Sequence, residues 1–171
     1  MKKIADDVYM LGNPAGVCSN VYVLGKREKL FIDSGNGSLS FDFEPSVCIL
    51  THGHSDHVGG VKEDWKKVYL HEKDMGFVSG KNIKKLDFGK MTFGDFDLFI
   101  IHTPGHTLGS VCIFERKRKI LFSGDTLFAG GAVGRTDIGG DAVLLKKSLE
   151  KIKNIRYELL CPGHGEVEKT A

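Results

Sequence analysis

The sequence predicts an α/β fold of two mixed sheets flanked by helices, and three observations point to it. Short apolar or alternating runs recur along all 171 residues, broken by Gly, Asn and charged turns. One segment near the C-terminus has a capped, helical pattern. Shorter helical signals lie between the other runs. Many strands with a minority of interspersed helices suit two sheets covered by helices, a mixed α/β sandwich. A chain of this length can bury a full core, and a single domain over residues 1–171 is expected.

Taken in order, Asp7 to Leu11, Asn20 to Leu24 and Leu30 to Asp33 read as an antiparallel meander. Ser46 to Leu50 and Lys67 to Leu70 are short buried strands. Val61 to Lys67 predicts a short helix on which Trp65 packs, and His71 to Phe77 predicts another. Leu98 to His102, Val111 to Phe114 and Ile120 to Ser123 are further strands. The clearest helix is Asp141 to Lys153, with Asp141 as N-cap and Val143, Leu144, Lys147, Ser148 and Ile152 following in approximate helical periodicity. Glu158 to Cys161 is the last strand. There is no internal repeat, low-complexity segment or linker.

Formal charge is +2, and the basic residues are scattered. Two small clusters, Lys26-Arg27-Glu28-Lys29 and Arg116-Lys117-Arg118-Lys119, fall between strand-like runs and are expected to be solvated hairpin turns. A nucleic-acid groove needs a larger basic face with interleaved aromatics, so no nucleic-acid partner is expected. No apolar run is long enough for a bilayer, and Met1-Lys2-Lys3-Ile4 lacks the apolar core of a signal peptide. A cytoplasmic protein without a membrane partner is expected. The four cysteines show neither C-x-x-C spacing nor a disulfide framework. Cys48, Cys112 and Cys161 lie in apolar runs as small hydrophobes. Cys18, in the turn Gly16-Val17-Cys18-Ser19, is expected to be buried or inert.

The chemistry concentrates in Thr51-His52-Gly53-His54-Ser55-Asp56-His57-Val58-Gly59-Gly60, which holds three of the chain's 7 histidines. Three imidazoles and a carboxylate within six positions, directly after a strand, have the character of a metal-ligand loop. Three further loops follow strands and lie among glycines: Thr103-Pro104-Gly105-His106, Gly124-Asp125-Thr126-Leu127-Phe128 and Pro162-Gly163-His164-Gly165. Loops at strand ends can converge on one edge, and small residues let the backbone approach a metal closely. Imidazole with carboxylate suits zinc, iron or manganese, and no cysteine pattern of a structural zinc finger is present.

On these motifs the chain resembles the metallo-β-lactamase-fold superfamily, from Leu50 almost to the C-terminus. The resemblance implies a compact αβ/βα sandwich with metals at one edge. It implies that His52, His54 and His106 bind one metal, that Asp56, His57 and His164 bind a second, and that Asp125 bridges both. Asp56 and Asp125 are then the catalytic carboxylates. Gly124-Asp125-Thr126-Leu127-Phe128 with Gly134-Arg135-Thr136-Asp137 is similar to the glyoxalase II-like (hydroxyacylglutathione hydrolase-like) branch, and also to persulfide dioxygenases. β-Lactamases that carry a cysteine where Asp125 stands depart from this pattern, so lactam hydrolysis is disfavoured. Glyoxalase II proper has a C-terminal helical extension with basic groups for glutathione. The sequence here ends seven residues after His164, so a glutathione substrate is not carried over. The stretch from Asp33 to Pro45 is short and Gly/Ser-rich where relatives have a helix.

The activity implied is hydrolysis of a small thioester or ester by a hydroxide bridging two ions, most simply two zinc, with iron or manganese as alternatives. Two metals about 3.5–4 Å apart bring the pKa of bound water from 15.7 to about 7 and polarise the carbonyl, so no serine or cysteine nucleophile is needed. A thiolate leaving group also needs little help from a general acid, since thiols titrate near pH 8.5. The alternative is a mononuclear iron persulfide dioxygenase with His52, His106 and Asp125 on the iron. A non-enzymatic metal-binding protein is a third class. Arg135 is either a substrate-binding fork for a carboxylate or an anchor for its own loop through Asp137 or Asp141. Asp33 is either a partner behind a ligand histidine or a turn residue. His71 and His102 match no motif and are expected to be satisfied structural histidines. The partner expected is a small-molecule substrate. The oligomeric state is open, a homodimer included.

Overall fold

The computed structural model describes residues 1–11, 18–40, 42–78 and 82–170. Gly16 and Val17 of the expected Cys18 turn lie outside them. The chain forms two compact units, Met1–Leu86 and Asp87–Ala171.

In the first unit the apolar runs pair into a sheet in strict chain order. The strands are β1 (Lys2–Ala5), β2 (Val8–Leu11), β3 (Val21–Leu24), β4 (Leu30–Ile32), β5 (Val47–Ile49), β6 (Val68–Leu70) and β7 (Ile83–Lys85). β1 to β4 are antiparallel, β2 to β4 as the meander predicts, and β4 to β7 are parallel. Strands β3 to β5 are buried along their length, which explains their unbroken apolar runs. The core gathers Val21, Val23, Phe31, Cys48, Leu50, Trp65, Val68 and Leu70. Trp65 and Phe43 each meet the Phe31 ring edge-on, at 5.7 and 5.8 Å between centroids.

One helical expectation is corrected here, and a second is met by a 3-10 helix. Val61 to Lys67 forms turns, not a helix, although Trp65 is buried as expected. Both ends of this segment are tied to strand loops: Gly60 N donates to Gly35 O, and Cys48 N donates to Lys67 O. Seven residues held this way are too few to offset helix nucleation. His71 to Phe77 is a 3-10 helix, Glu72–Phe77, and His71 Nδ1 caps it by accepting from Lys73 N at 3.2 Å. A four-residue helix not foreseen, α1 (Ser55–Val58), lies inside the histidine loop. Among the described residues between Asp33 and Pro45 there is no helix. Leu39 and Phe43 of that stretch pack on the core instead.

In the second unit the strands are β8 (Gly89–Phe93), β9 (Phe96–His102), β10 (Val111–Glu115), β11 (Ile120–Gly124), β12 (Leu159–Pro162) and β13 (Glu168–Lys169). Their order is β13-β12-β11-β10-β9-β8, antiparallel except for the parallel pair β11/β12. A parallel pair needs a crossover, and the predicted helix lies in it as α2 (Ala142–Ile152). Asp141 Oδ1 caps α2 by accepting from Val143 N and Leu144 N at 2.8 and 2.9 Å. α2 buries Leu145, Ser148 and Ile152, and Ile152 joins Cys112, Leu121 and Leu160 in this unit's core. The first turns of α2 rest on the Pro104-Gly105-His106 loop. Asp141 N donates to Gly105 O, Ser148 Oγ donates to Pro104 O, and a Cβ on Gly105 (φ +150°) would lie 2.3 Å from Leu145 Cα. Only glycine fits there.

The α/β class with two mixed sheets is therefore the one observed. Both basic clusters occupy hairpin turns, β3–β4 and β10–β11, as expected. No helix among the described residues is long and apolar enough to cross a membrane.

All four cysteines are buried, and none is in a disulfide. Burial pushes the Cys112 thiol up to about 11 and the Cys48 and Cys161 thiols well above their ordinary value. At pH 8 about one Cys112 thiol in a thousand is then ionised. Thiol titration at pH 8 should accordingly find Cys48, Cys112 and Cys161 slow to react in the native protein and all four thiols reactive after denaturation.

Candidate metal centre

The first unit contributes the loop after β5. His52 and His57 are fully buried, while His54 and Asp56 are half-buried. The His52 ring lies 4.8 Å from that of His54 and 4.0 Å from that of His57, centroid to centroid. Asp56 Oδ2 is 3.8 Å from His57 Nε2. α1 produces this closeness: one helical turn brings Asp56 and His57 back beside the two preceding histidines.

A buried carboxylate organises the loop from behind. Asp33 directly follows β4 with φ +61°, a left-handed conformation that Asp tolerates better than most residues. It accepts from Thr51 N at 2.7 Å, from Thr51 Oγ1 at 2.9 Å and from His57 Nδ1 at 2.8 Å. It is thus both the partner behind a histidine and a turn residue. A carboxylate only accepts, so the hydrogen sits on His57 Nδ1 and the Nε2 lone pair faces the other way. The same logic passes through Thr51. Its hydroxyl hydrogen goes to Asp33, so Thr51 Oγ1 receives the Nδ1 hydrogen of His52, 3.1 Å away. Asp74, also buried, accepts from Gly53 N at 2.9 Å and fixes the middle of the loop. The sequence reading missed Asp74. It lies 21 positions from Gly53, in a charged run with no motif of its own.

The second unit contributes His106, Asp125 and His164, each just after a strand. His106 and Asp125 are buried, and His164 is half-buried. His106 Nδ1 donates to the Arg135 carbonyl at 2.7 Å, which again directs the Nε2 lone pair away. The chain passes so closely here that a Cβ on Gly134 would lie 2.0 Å from Asp125 O and 2.9 Å from His106 Nδ1. Asp125 Oδ2 lies 3.4 Å from His106 Nε2 and 3.5 Å from His164 Nε2.

These separations are longer than the roughly 2.7–2.9 Å of a charge-assisted hydrogen bond. They match two donors on one tetrahedral ion. Zinc–nitrogen and zinc–oxygen bonds of about 2.1 Å set neighbouring donors about 3.4 Å apart. The donor set of the second unit therefore fits a cation, and the hydrogens on Nδ1 of His52, His57 and His106 leave each ring the tautomer a metal needs.

Arg135 donates through Nε and Nη2 to the two oxygens of Asp137, at 2.6 and 2.5 Å. This guanidinium holds the Asp137 carboxyl down to about 2. Both side chains are exposed, so the pair is a weak restraint. His71 caps its 3-10 turn. His102 stacks on Phe88 and places Nε2 3.1 Å from Leu108 O, so both are structural histidines. Phe128 meets the His164 ring at a steep angle, 6.2 Å between centroids.

The metallo-beta-lactamase superfamily model matches residues 16–164. A hydroxyacylglutathione hydrolase of Citrobacter koseri is 34% identical over 165 residues, which are 88% of this chain and 63% of that protein. Among solved structures, the BLEG-1 B3 metallo-beta-lactamase superposes with a TM-score of 0.77 at 28% identity, over 95% of this chain and 93% of the other. TTHA1623 in a di-iron-bound form superposes with a TM-score of 0.75, also at 28% identity, over 94% and 93%.

Proposed function

The chain belongs to the metallo-β-lactamase superfamily, and from that premise we propose that it is a metal-dependent hydrolase of small thioesters or esters. Membership alone carries a metallo-hydrolase or a related enzyme, with ions such as zinc or iron. The finer reading assigns His52, His54 and His106 to one ion, Asp56, His57 and His164 to a second, and Asp125 to both. The observation that carries it is the tautomer pattern: three imidazoles engage Nδ1 with acceptors behind them, leaving Nε2 as the ligand atom.

Such ions would acidify a water molecule and polarise the substrate carbonyl. The protein's own groups do the rest. Asp33 holds His57 and, through Thr51, His52 in orientation. Asp74 keeps the Gly53 backbone in place. Asp56 and Asp125 offset positive charge, and either carboxylate can take the proton as water attacks. A departing thiolate needs no protein acid. The similarity to a hydroxyacylglutathione hydrolase supports a thioester, and the glutathione part stays outside the proposal.

The test combines metal content with a substrate panel on protein purified without chelator or added metal. About two ions per chain with thioester or ester turnover supports the reading. One iron with oxygen uptake on a persulfide replaces it with the sulfur dioxygenase. Preference for a β-lactam overturns it in favour of lactamase chemistry.

Arg135 is proposed as the substrate-binding residue, opening from Asp137 to grip a substrate carboxylate. Arg135→Ala should then raise KM for a carboxylate-bearing thioester about tenfold or more with kcat held, because uniform binding is lost. If both constants stay at their original values, Arg135 is only a loop anchor.

A further inference from the structure

Away from the metal-ligand loops, the second unit carries a groove of about 570 Å³ between the end of α2 and the sheet. Its floor is apolar. Phe99 and Ile101 project from the same face of β9, and Phe114 stands directly opposite Phe99 on β10. Phe99 is 40% exposed although it sits mid-strand, because α2 covers the sheet at Cys112 and stops short of it. Arg116, Lys151 and Arg156 also line the groove. Among its described lining residues there are thus three cations and no carboxylate.

Those cations are only partly compensated. Arg116 is held at the strand end by both oxygens of Asp97, at 2.9 and 2.7 Å. Lys151 donates to the His102 carbonyl, which leaves its charge in place. One more cation, Lys90, stands across from Phe99 on β8 and lies 4.0 Å from the same Asp97.

We propose that this groove binds a fatty-acid-like amphipathic anion, its chain along Phe99, Phe114 and Ile101 and its head at Lys151 and Arg156. The charge argues for an anion. A second copy of the chain docking here about a two-fold axis would set this positive rim against itself. The volume lies in the range of small-molecule sites, and an apolar floor with a cationic rim suits a single chain with an anionic head. The assignment is independent of the hydrolase reading.

The experiment is calorimetric titration of the metal-loaded full chain with monomeric sodium dodecanoate at low ionic strength. Saturable binding of one molecule per chain is expected. Binding should weaken at least tenfold in Phe99→Asp, and likewise in the double variant Lys151→Met, Arg156→Ser. Dodecanol and dodecyltrimethylammonium should bind at least tenfold more weakly than dodecanoate, and added salt should weaken dodecanoate alone. Thermal midpoints of the variants guard against unfolding, since all three positions are exposed. No saturable binding overturns the proposal. So does dodecanoate binding that survives both variants, equal binding of dodecanol, or capture by anionic vesicles without uptake of the monomeric carboxylate.

Discussion

Asp125→Ala and His106→Ala should each lower kcat/KM for the best thioester or ester by about 10³-fold or more, with loss of bound metal. Removing a single electrostatic stabiliser from an active site costs roughly 10²–10³, and in the proposed reading Asp125 would serve two ions at once. Its Oδ2 stands 3.4 and 3.5 Å from two imidazole Nε2 atoms. The check is steady-state kinetics with metal analysis and thermal unfolding of the same preparations. Unchanged turnover in both variants would sink the hydrolase assignment, whereas lost turnover with an intact fold supports it.

Replacing Asp33 should act through both stability and metal affinity. Asp33→Ala leaves His57 Nδ1, Thr51 N and Thr51 Oγ1 without their shared acceptor in a site closed to water. Leaving a buried donor without its acceptor costs about 1–3 kcal/mol, several donors are orphaned here, and alanine at φ +61° adds strain. Denaturant unfolding of the apo protein measures this loss. Asp33→Asn tolerates the backbone and keeps an acceptor. It should retain more stability yet weaken metal binding by roughly 10–100-fold, the usual effect of losing a partner behind a ligand histidine. Wild-type metal affinity in Asp33→Asn would show that Asp33 is a turn residue alone.

The strands that the sequence revealed and those it concealed differ by position. The interior strands carry apolar or alternating runs because both faces or one face are buried. The four that the reading missed, β1, β7, β8 and β13, are the two edges of each sheet. They are mostly exposed or half-buried and carry lysines, such as Lys2, Lys3, Lys84, Lys85 and Lys90. Charged edges discourage pairing between chains, and the same charges erase the hydrophobic period from which a strand is read. α2 was legible because its N-cap and buried stripe are local. Val61 to Lys67 misled because its apolar spacing comes from burial of Trp65 in a tethered loop.

The sequence by itself determined the chemistry: the types of donor, their order and their placement in loops after strands. These features are local, a few residues of imidazole, carboxylate and glycine, and they survive without knowledge of the fold. Only the tertiary structure decided which nitrogen of each ring is presented and what holds it there. His57 meets Asp33 across 24 positions, and His106 meets the Arg135 carbonyl across 29. A hydrogen bond to a backbone carbonyl leaves no mark on the identity of its residue. A buried aspartate such as Asp33 or Asp74 has the same letter as a solvated one. Their roles exist only once folding brings strand end and ligand loop within hydrogen-bonding distance.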